Sequence, residues 1–384
     1  MKFLILSCNT GGGHNTAALA IKQAAEKMGH EAIFTDFLTL AGKKTSDIIS
    51  SLYVNTAKYL PLVFGAVYTV GKGVSYFPWK SPVYFYNKRF AKVLLEYIRG
   101  NNFDAIITTH LFAAETLTYL RRKNVRLPLT IAVSTDYTCI PFWNEVECDI
   151  YISPHEALSD EYVRRRLPRK KIYPYGIPVD ERFTEERSQR KAKMSLGFDP
   201  NRPLYLIMSG SMGFGRVPLF TKLLCRYTEN SQVAVICGNN KKLKDKLEKV
   251  FEGSKDVKIV GFTKNVPEYM AACDVIYTKP GGLTSTEALV SGTPIIHTAP
   301  IPGCESKNYR FFGKRGLSFH AKNMVTQILC GKTLVENQEK RRKMTERQYE
   351  NSKPNSARDI VKLAEKIVVI KERTGSLETI AEAK

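Results

Sequence analysis

The chain has 384 residues, long enough for two domains of ordinary size, and its 43% hydrophobic and 25% charged residues are those of a globular protein. A net charge of +21 makes polyanions the expected partners: nucleic acid, anionic lipid headgroups or nucleotide phosphates. No apolar run approaches the roughly 18 residues of a membrane span, and the eight cysteines show neither a C-x-x-C pair nor a metal-ligand spacing, which favours a reducing cytoplasm. The first residues, MKFLILSCNTGGGH, are too short an apolar run for a signal peptide and fit an opening strand.

Phe3-Leu4-Ile5-Leu6 is that strand, and Gly11-Gly12-Gly13-His14 is its turn. Asn15 or Thr16 is the expected cap of a helix over 17–28, and Ala32-Ile33-Phe34 is the second strand. A βαβ unit opened by a glycine loop points to a doubly wound α/β domain. Further alternation follows: strand 105–108, helix 113–122, strand 129–133 and strand 150–152.

An insertion over 43–86 separates the second and third strands. It carries Tyr59, Phe64, Tyr68, Phe77 and Trp79 with lysines interleaved. Such a segment suits a membrane interface, or it packs the side of the first domain. The run 163–171 (VRRRLPRKK) includes Arg164, Arg165 and Arg166. It reads either as solvated helix ends or as a binder of surface phosphates, worth about 1 kcal/mol per charge.

Domain boundaries follow: 1–180 for the first domain, a charged linker over 181–200, a second domain over 201–350, and C-terminal helices over 351–384 that can pack back on the first. The second domain opens with strand 204–208 and a glycine loop, Ser209-Gly210-Ser211-Met212-Gly213-Phe214-Gly215. Strand 233–238, helix 241–251, strand 257–262 and a short helix 266–272 come next. A single charged helix is expected over 334–349 and another over 356–369.

The stretch Lys279-Pro280-Gly281-Gly282-Leu283-Thr284-Ser285-Thr286-Glu287 is the most informative. A short apolar strand, a glycine turn and a helix start leave backbone amides open to a phosphate. Glu287, one turn in, is placed for two ribose hydroxyls. The competing reading is a capping box, in which Thr284 and Glu287 satisfy each other's backbone and need no ligand.

Four motifs in this order go beyond architecture: Gly11-Gly12-Gly13-His14, the Ser209–Gly213 loop, Gly261-Phe262-Thr263, and Lys279-Pro280-Gly281-Gly282 through Glu287-Ala288. Together they resemble the monogalactosyldiacylglycerol synthase and processive diacylglycerol glucosyltransferase family, glycosyltransferase family 28, across about residues 2–312. Two positions depart from it. Asn15 follows the glycine-loop histidine where the family commonly has Arg, and Cys304 replaces Gln in Pro302-Gly303-Cys304-Glu305, which leaves the identity of the sugar open.

The resemblance implies the GT-B fold, two Rossmann-like domains facing each other across a cleft. It implies an inverting transfer of a hexose from a UDP-sugar, glucose or galactose, to diacylglycerol or a glycosyl-diacylglycerol. His14 is the expected base, since an imidazole titrating near neutrality can take the acceptor proton. Asp136 orients His14, acts as a second base, or is a simple turn residue. Gly13, Ser211, Met212, Gly213, Gly281, Gly282, Leu283 and Thr284 are implied at the nucleotide diphosphate, Phe262 and Thr263 at the base, Glu287 at the ribose, and Glu305, Ser306 and Asn308 at the sugar. No Asp-x-Asp motif occurs, so amides and helix dipole would replace a metal, and no cofactor is expected. Trp79 and Trp143, with the insertion aromatics and Arg164–Arg166, are expected against an anionic membrane, on the cytoplasmic face and peripherally attached. Rival readings are N-acetylglucosamine transfer to a polyprenol-linked acceptor and a nucleotide-sugar epimerase of the same architecture. No RNA-binding signature supports a nucleic-acid partner, and the first loop is not the G-x-G-x-x-G of a dinucleotide dehydrogenase.

Overall fold

A computed structural model describes residues 1–9, 12–42, 71, 73, 80–208, 216–321 and 323–374. The chain divides into two compact units, 1–180 with 353–384, and 181–352. Each holds one parallel six-stranded sheet.

In the first unit the strands are β1 (Lys2–Ser7), β2 (Glu31–Asp36), β3 (Ala105–Thr108), β4 (Leu129–Val133), β5 (Ile150–Ile152) and β6 (Ile172–Tyr173), in the order β2-β1-β3-β4-β5-β6. Strand β1 pairs β2 on one side and β3 on the other, with Phe3 opposite Ala32 and Ala105. Its side chains alternate between two cores because successive strand residues face opposite ways. Phe3 and Ile5 pack with Ile21 of α1 (Gly12–Lys27), while Leu4 and Leu6 lie in a separate cluster. That cluster includes Leu94 and Ile98 of α3 (Ala91–Arg99) and Leu117 of α4 (Leu111–Arg122). A sheet covered on both faces is what continuous apolar strands require.

The remaining helices of this unit are α2 (Pro82–Asn87), α5 (Ser159–Arg164) and the long terminal α14 (Ser356–Thr374). Helix α14 packs beside α1, with Ile360, Val361, Ala364 and Ile367 buried in the β1 core. Ser356 donates to the Gly176 carbonyl at 2.9 Å, which ties its start to the end of the first unit's main segment.

The second unit has β7 (Leu204–Met208), β8 (Gln232–Ile236), β9 (Val257–Val260), β10 (Val275–Thr278), β11 (Ile295–His297) and β12 (Phe319–His320), ordered β12-β11-β10-β7-β8-β9. Its helices are α6 (Gln189–Ser195), α7 (Val217–Tyr227), α8 (Lys241–Val250), α9 (Val266–Ala272), α10 (Gly282–Val290), α11 (Cys304–Lys314), α12 (Met324–Glu336) and α13 (Gln338–Asn351).

Several expectations change. The charged stretch 181–200 is folded into the second unit: Gln189 and Lys193 of α6 both bond to Asp274, which also accepts from the Leu204 amide and Arg341. A buried carboxylate collects four donors, so a segment that looks like a solvated tether is held down by charge-assisted hydrogen bonds. The single helix expected over 334–349 is two. They break at Asn337, whose side chain accepts from the Lys340 amide and caps α13. Helix α1 starts at Gly12, five residues before the expected 17, and the Thr16 hydroxyl bonds back to the Gly12 carbonyl inside the helix instead of capping it.

Most of the insertion, including Tyr59, Phe64, Tyr68, Phe77 and Trp79, lies outside the described residues. Its end is anchored at a carboxyl pair. Glu115 of α4 is fully buried, and burial first, then the charge of Glu145, push its carboxyl up to about 9. It is therefore protonated at neutral pH. Glu145 in turn accepts from the Ser81 amide at 2.9 Å, and Ser81 caps α2.

A proton held by the folded state and released by the unfolded chain makes stability fall as pH rises from the ordinary glutamate range to about 9. Glu115→Gln, neutral at every pH and still a donor, is expected to flatten that slope and to melt above the wild type at pH 8. Thermal melts of both proteins between pH 5 and 9 check this; parallel curves would show that Glu115 carries no extra proton.

Candidate active site

Both sheets reverse strand order at one place. In the first unit the reversal falls between β1 and β3, in the second between β7 and β10. Loops leaving the carboxyl ends of such neighbours diverge to opposite faces and open a crevice, the usual ligand position in doubly wound folds. His14 follows β1, and Thr109-His110 follow β3. In the second unit the Ser209–Gly215 loop follows β7, and Pro280-Gly281-Gly282 follows β10. Ser211, Met212 and Gly213 lie outside the described residues.

His14 is partly exposed in the first turn of α1, one residue after Gly13. Its Nδ1 lies 2.9 Å from the Thr109 carbonyl oxygen and 2.9 Å from the Thr135 hydroxyl. A carbonyl only accepts, so Nδ1 carries the hydrogen and Nε2 carries the lone pair. The Thr109 hydroxyl donates to the His14 carbonyl at 3.0 Å, so one residue holds both ring and backbone. Loss of hydration holds the imidazole below its ordinary range, opposed by the Thr109 carbonyl. The positive end of α1 acts in the same direction as burial. The result is a neutral imidazole with a fixed tautomer.

Thr109 and Thr135 occupy Nδ1, and Asp136 is the next residue along, where its charge acts on the buried phenol of Tyr162. Neither threonine was singled out in the sequence. Their only signal is position, directly after β3 and shortly after β4.

In the second unit the capping box does not form. Helix α10 begins at Gly282 with Gly281 as its cap residue, and no side chain caps it. Thr284 therefore stands inside the first turn, and Glu287 in the second, too far along to reach back to a cap. The Ser285 amide is the first to find an i−4 carbonyl, that of Gly281. The amides of Gly282, Leu283 and Thr284 precede it, which is the arrangement that receives an anion. Ser285 also bonds to His297, fully buried on β11, whose other ring nitrogen meets Ser318. Glu287 is buried.

Asn308 is fully buried and donates to the Pro280 carbonyl at 2.9 Å. The side chain braces the glycine turn. Glu305 accepts from the Ile301 amide at 2.7 Å, and Ser306 donates to the Ile301 carbonyl at 3.4 Å, so both shape the loop before α11. That loop ends at Gly303, with φ 124° and ψ −131°, a conformation side chains exclude. Lys279 stands immediately before the turn. Burial lowers its ammonium and raises the Glu305 carboxyl, and the attraction between the two opposes both shifts. Phe262 is 69% exposed after β9, and the Thr263 hydroxyl accepts from the Asn265 amide.

The acceptor-side expectations divide. Trp143 is 3% exposed and packs edge-on against Tyr151 and Tyr162, so it is a core residue and not a membrane contact. Arg165 is also buried, while Arg164 and Arg166 are exposed. The helix turn that ends at Arg164 forces the three arginines in different directions. Phe85 of α2 is 52% exposed, with the Lys88 ammonium 5.6 Å from its ring centre. Among the described residues no helix is long and apolar enough to cross a membrane, and no group of three or more His, Cys, Asp or Glu could hold a metal ion.

Two doubly wound units with such loops at their reversals have the plan of the GT-B glycosyltransferases. MurG of Acinetobacter baumannii superposes with a TM-score of 0.59 at 13% identity, over 95% of this chain and 99% of that one. The protein is a GT-B glycosyltransferase. Residues 14–179 match the family described as monogalactosyldiacylglycerol (MGDG) synthase, and residues 217–351 match glycosyl transferases group 1. The processive diacylglycerol beta-glucosyltransferase of Staphylococcus epidermidis is 26% identical over 366 residues, covering 94% of this chain and 91% of the relative. That of Bacillus licheniformis is 29% identical over 323 residues, 82% of this chain and 81% of the relative. The chain thus pairs a segment that matches the monogalactosyldiacylglycerol synthase family model with one that matches glycosyl transferases group 1.

Removing the brace of the glycine turn leaves the Pro280 carbonyl buried without its donor, at a cost of about 1–3 kcal/mol. Asn308→Ala is expected to lower the unfolding free energy by that amount in a urea titration. A variant as stable as wild type would mean that the turn holds itself.

Proposed function

We propose that this glycosyltransferase moves a hexose from UDP-glucose or UDP-galactose to diacylglycerol or a glycosyl-diacylglycerol, with inversion at the anomeric carbon. The observation that carries the reading is the tautomer of His14, a neutral ring with its lone pair on Nε2. The acceptor oxygen attacks the anomeric carbon, the bond from that carbon to the diphosphate oxygen breaks, and UDP departs with the electron pair. The acceptor proton passes to Nε2. The imidazolium then formed keeps its Nδ1–H on the Thr109 carbonyl and the Thr135 hydroxyl.

The uncapped amides of Gly282, Leu283 and Thr284 support a diphosphate position, with Ser211, Met212 and Gly213 as its further partners. Lys279, next to that turn, adds positive charge without a metal. Glu287 serves the ribose, Phe262 and Thr263 the base, and Glu305 and Ser306 the sugar. The diacylglycerol acceptor rests on the named activity of the relatives. Its hydroxyl lies near the headgroup plane of a bilayer, so the enzyme works peripherally on an anionic, cytoplasmic membrane face. The charge of +21 and exposed Arg164, Arg166 and Phe85 support that placement.

The direct experiment incubates the protein with diacylglycerol vesicles and UDP-glucose, UDP-galactose or UDP-N-acetylglucosamine, and identifies the lipid product. A hexosyl-diacylglycerol is expected. A product only on a polyprenol-linked acceptor, or free epimerised nucleotide sugar, would replace this reading. His14→Ala is expected to lower kcat by about 10²–10⁴-fold with UDP affinity little changed. Because the His14 pKa is lowered, its neutral form persists to more acid pH, and the acid limb of kcat/KM should fall below the usual histidine range. Turnover should survive excess chelator; its loss, restored by Mg²⁺ or Mn²⁺, would overturn the metal-independent step.

A further inference from the structure

A second histidine lies against the first. His110 caps α4: its Nδ1 accepts from the Phe112 amide at 3.2 Å, so its lone pair is on Nδ1 and the hydrogen of the neutral ring is on Nε2. The residue is 8% exposed. Its ring stands edge-to-face on His14, with centroids 4.7 Å apart and planes at 80°, and makes a second such contact with Phe112 at 4.7 Å and 76°. The backbone beneath it is tied too, since the His110 amide donates to the Thr108 hydroxyl at 3.2 Å. Thr109, the residue between, is the one that holds His14 Nδ1.

This arrangement resists protonation. Charging His110 would remove the acceptor that caps α4, and it would set a second positive charge against the ring that must take a proton. Loss of hydration and the charge of His14 both hold His110 well below the ordinary histidine range.

We propose that His110 is a positioning residue for glycosyl transfer: its uncharged ring, pinned by the α4 cap, sets the plane of the His14 imidazole and shields it from water. An aromatic of the same size could pack there but could not cap the helix. A short polar residue could cap but not pack. Histidine does both, and the cap is what fixes its ring.

The inference rests on the reading of His14 as the base, and two variants test it. His110→Asn keeps a side-chain acceptor for the Phe112 amide and removes the ring. His110→Phe keeps a ring and loses the cap. In His110→Asn, kcat with UDP-glucose and diacylglycerol vesicles is expected to fall about tenfold or more while KM for the nucleotide sugar stays within about twofold, because orientation and not binding is lost. The NMR titration midpoint of His14 should rise toward the ordinary value, and the acid limb of kcat should move with it. His110→Phe should recover the low midpoint but only part of the rate, because its ring packs without the cap that fixes it. Thermal melts establish that each variant is folded.

A His110→Asn enzyme with wild-type kcat and an unmoved His14 midpoint would overturn the proposal, even with His14→Ala inactive. A midpoint that moves in His110→Asn, while His14→Ala still turns over, would uphold the packing of the two rings and overturn the base.

Discussion

One hydrogen bond organises the chemistry of the first unit, that between His14 Nδ1 and the Thr109 carbonyl. It decides which nitrogen of the ring is basic. It forms only because β1 and β3 are adjacent in the sheet, in a register that sets Leu6 opposite Thr108. Both chains leave the sheet at the same level, and their first loop residues meet. The tautomer of a candidate base is therefore a consequence of strand pairing.

The second unit uses the same topology for a different end. Its reversal point brings a helix start whose first amides have no side-chain partner, and a buried asparagine holds the turn that precedes it. A capping side chain would stabilise the helix by about 1 kcal/mol. That cap is absent at α10, as it is at α3, α5, α7, α9 and α11; what sets α10 apart is its place at the strand-order reversal. The neighbouring Lys279 and Glu305 are half-buried charges, each shifted by burial and each opposing the other's shift.

Burial also separates structural from surface roles among residues of one type. Trp143 and Arg165 look in sequence like membrane contacts and are core residues. Lys193 looks like part of a solvated tether and is buried on Asp274. Glu115 stands protonated under the end of the insertion. In each case the partner comes from a distant segment, and the energetics of a buried polar group hinge on that partner.

Much was legible from local pattern. The strand positions, the glycine turns that follow them, His14 and the Lys279–Glu287 stretch all follow from runs of apolar residues and from glycine, because those signals act over a few residues. The helix starts were less legible: glycines at Gly12 and Gly281-Gly282 read as loop, while the chain already turns into helix there. By itself the sequence determined a doubly wound α/β chain with two glycine loops and an imidazole at one of them. Only tertiary structure decided which atoms hold that imidazole, for its partners lie 95 and 121 residues away. Contacts at that separation are set by the order of strands in a sheet, which no local periodicity encodes.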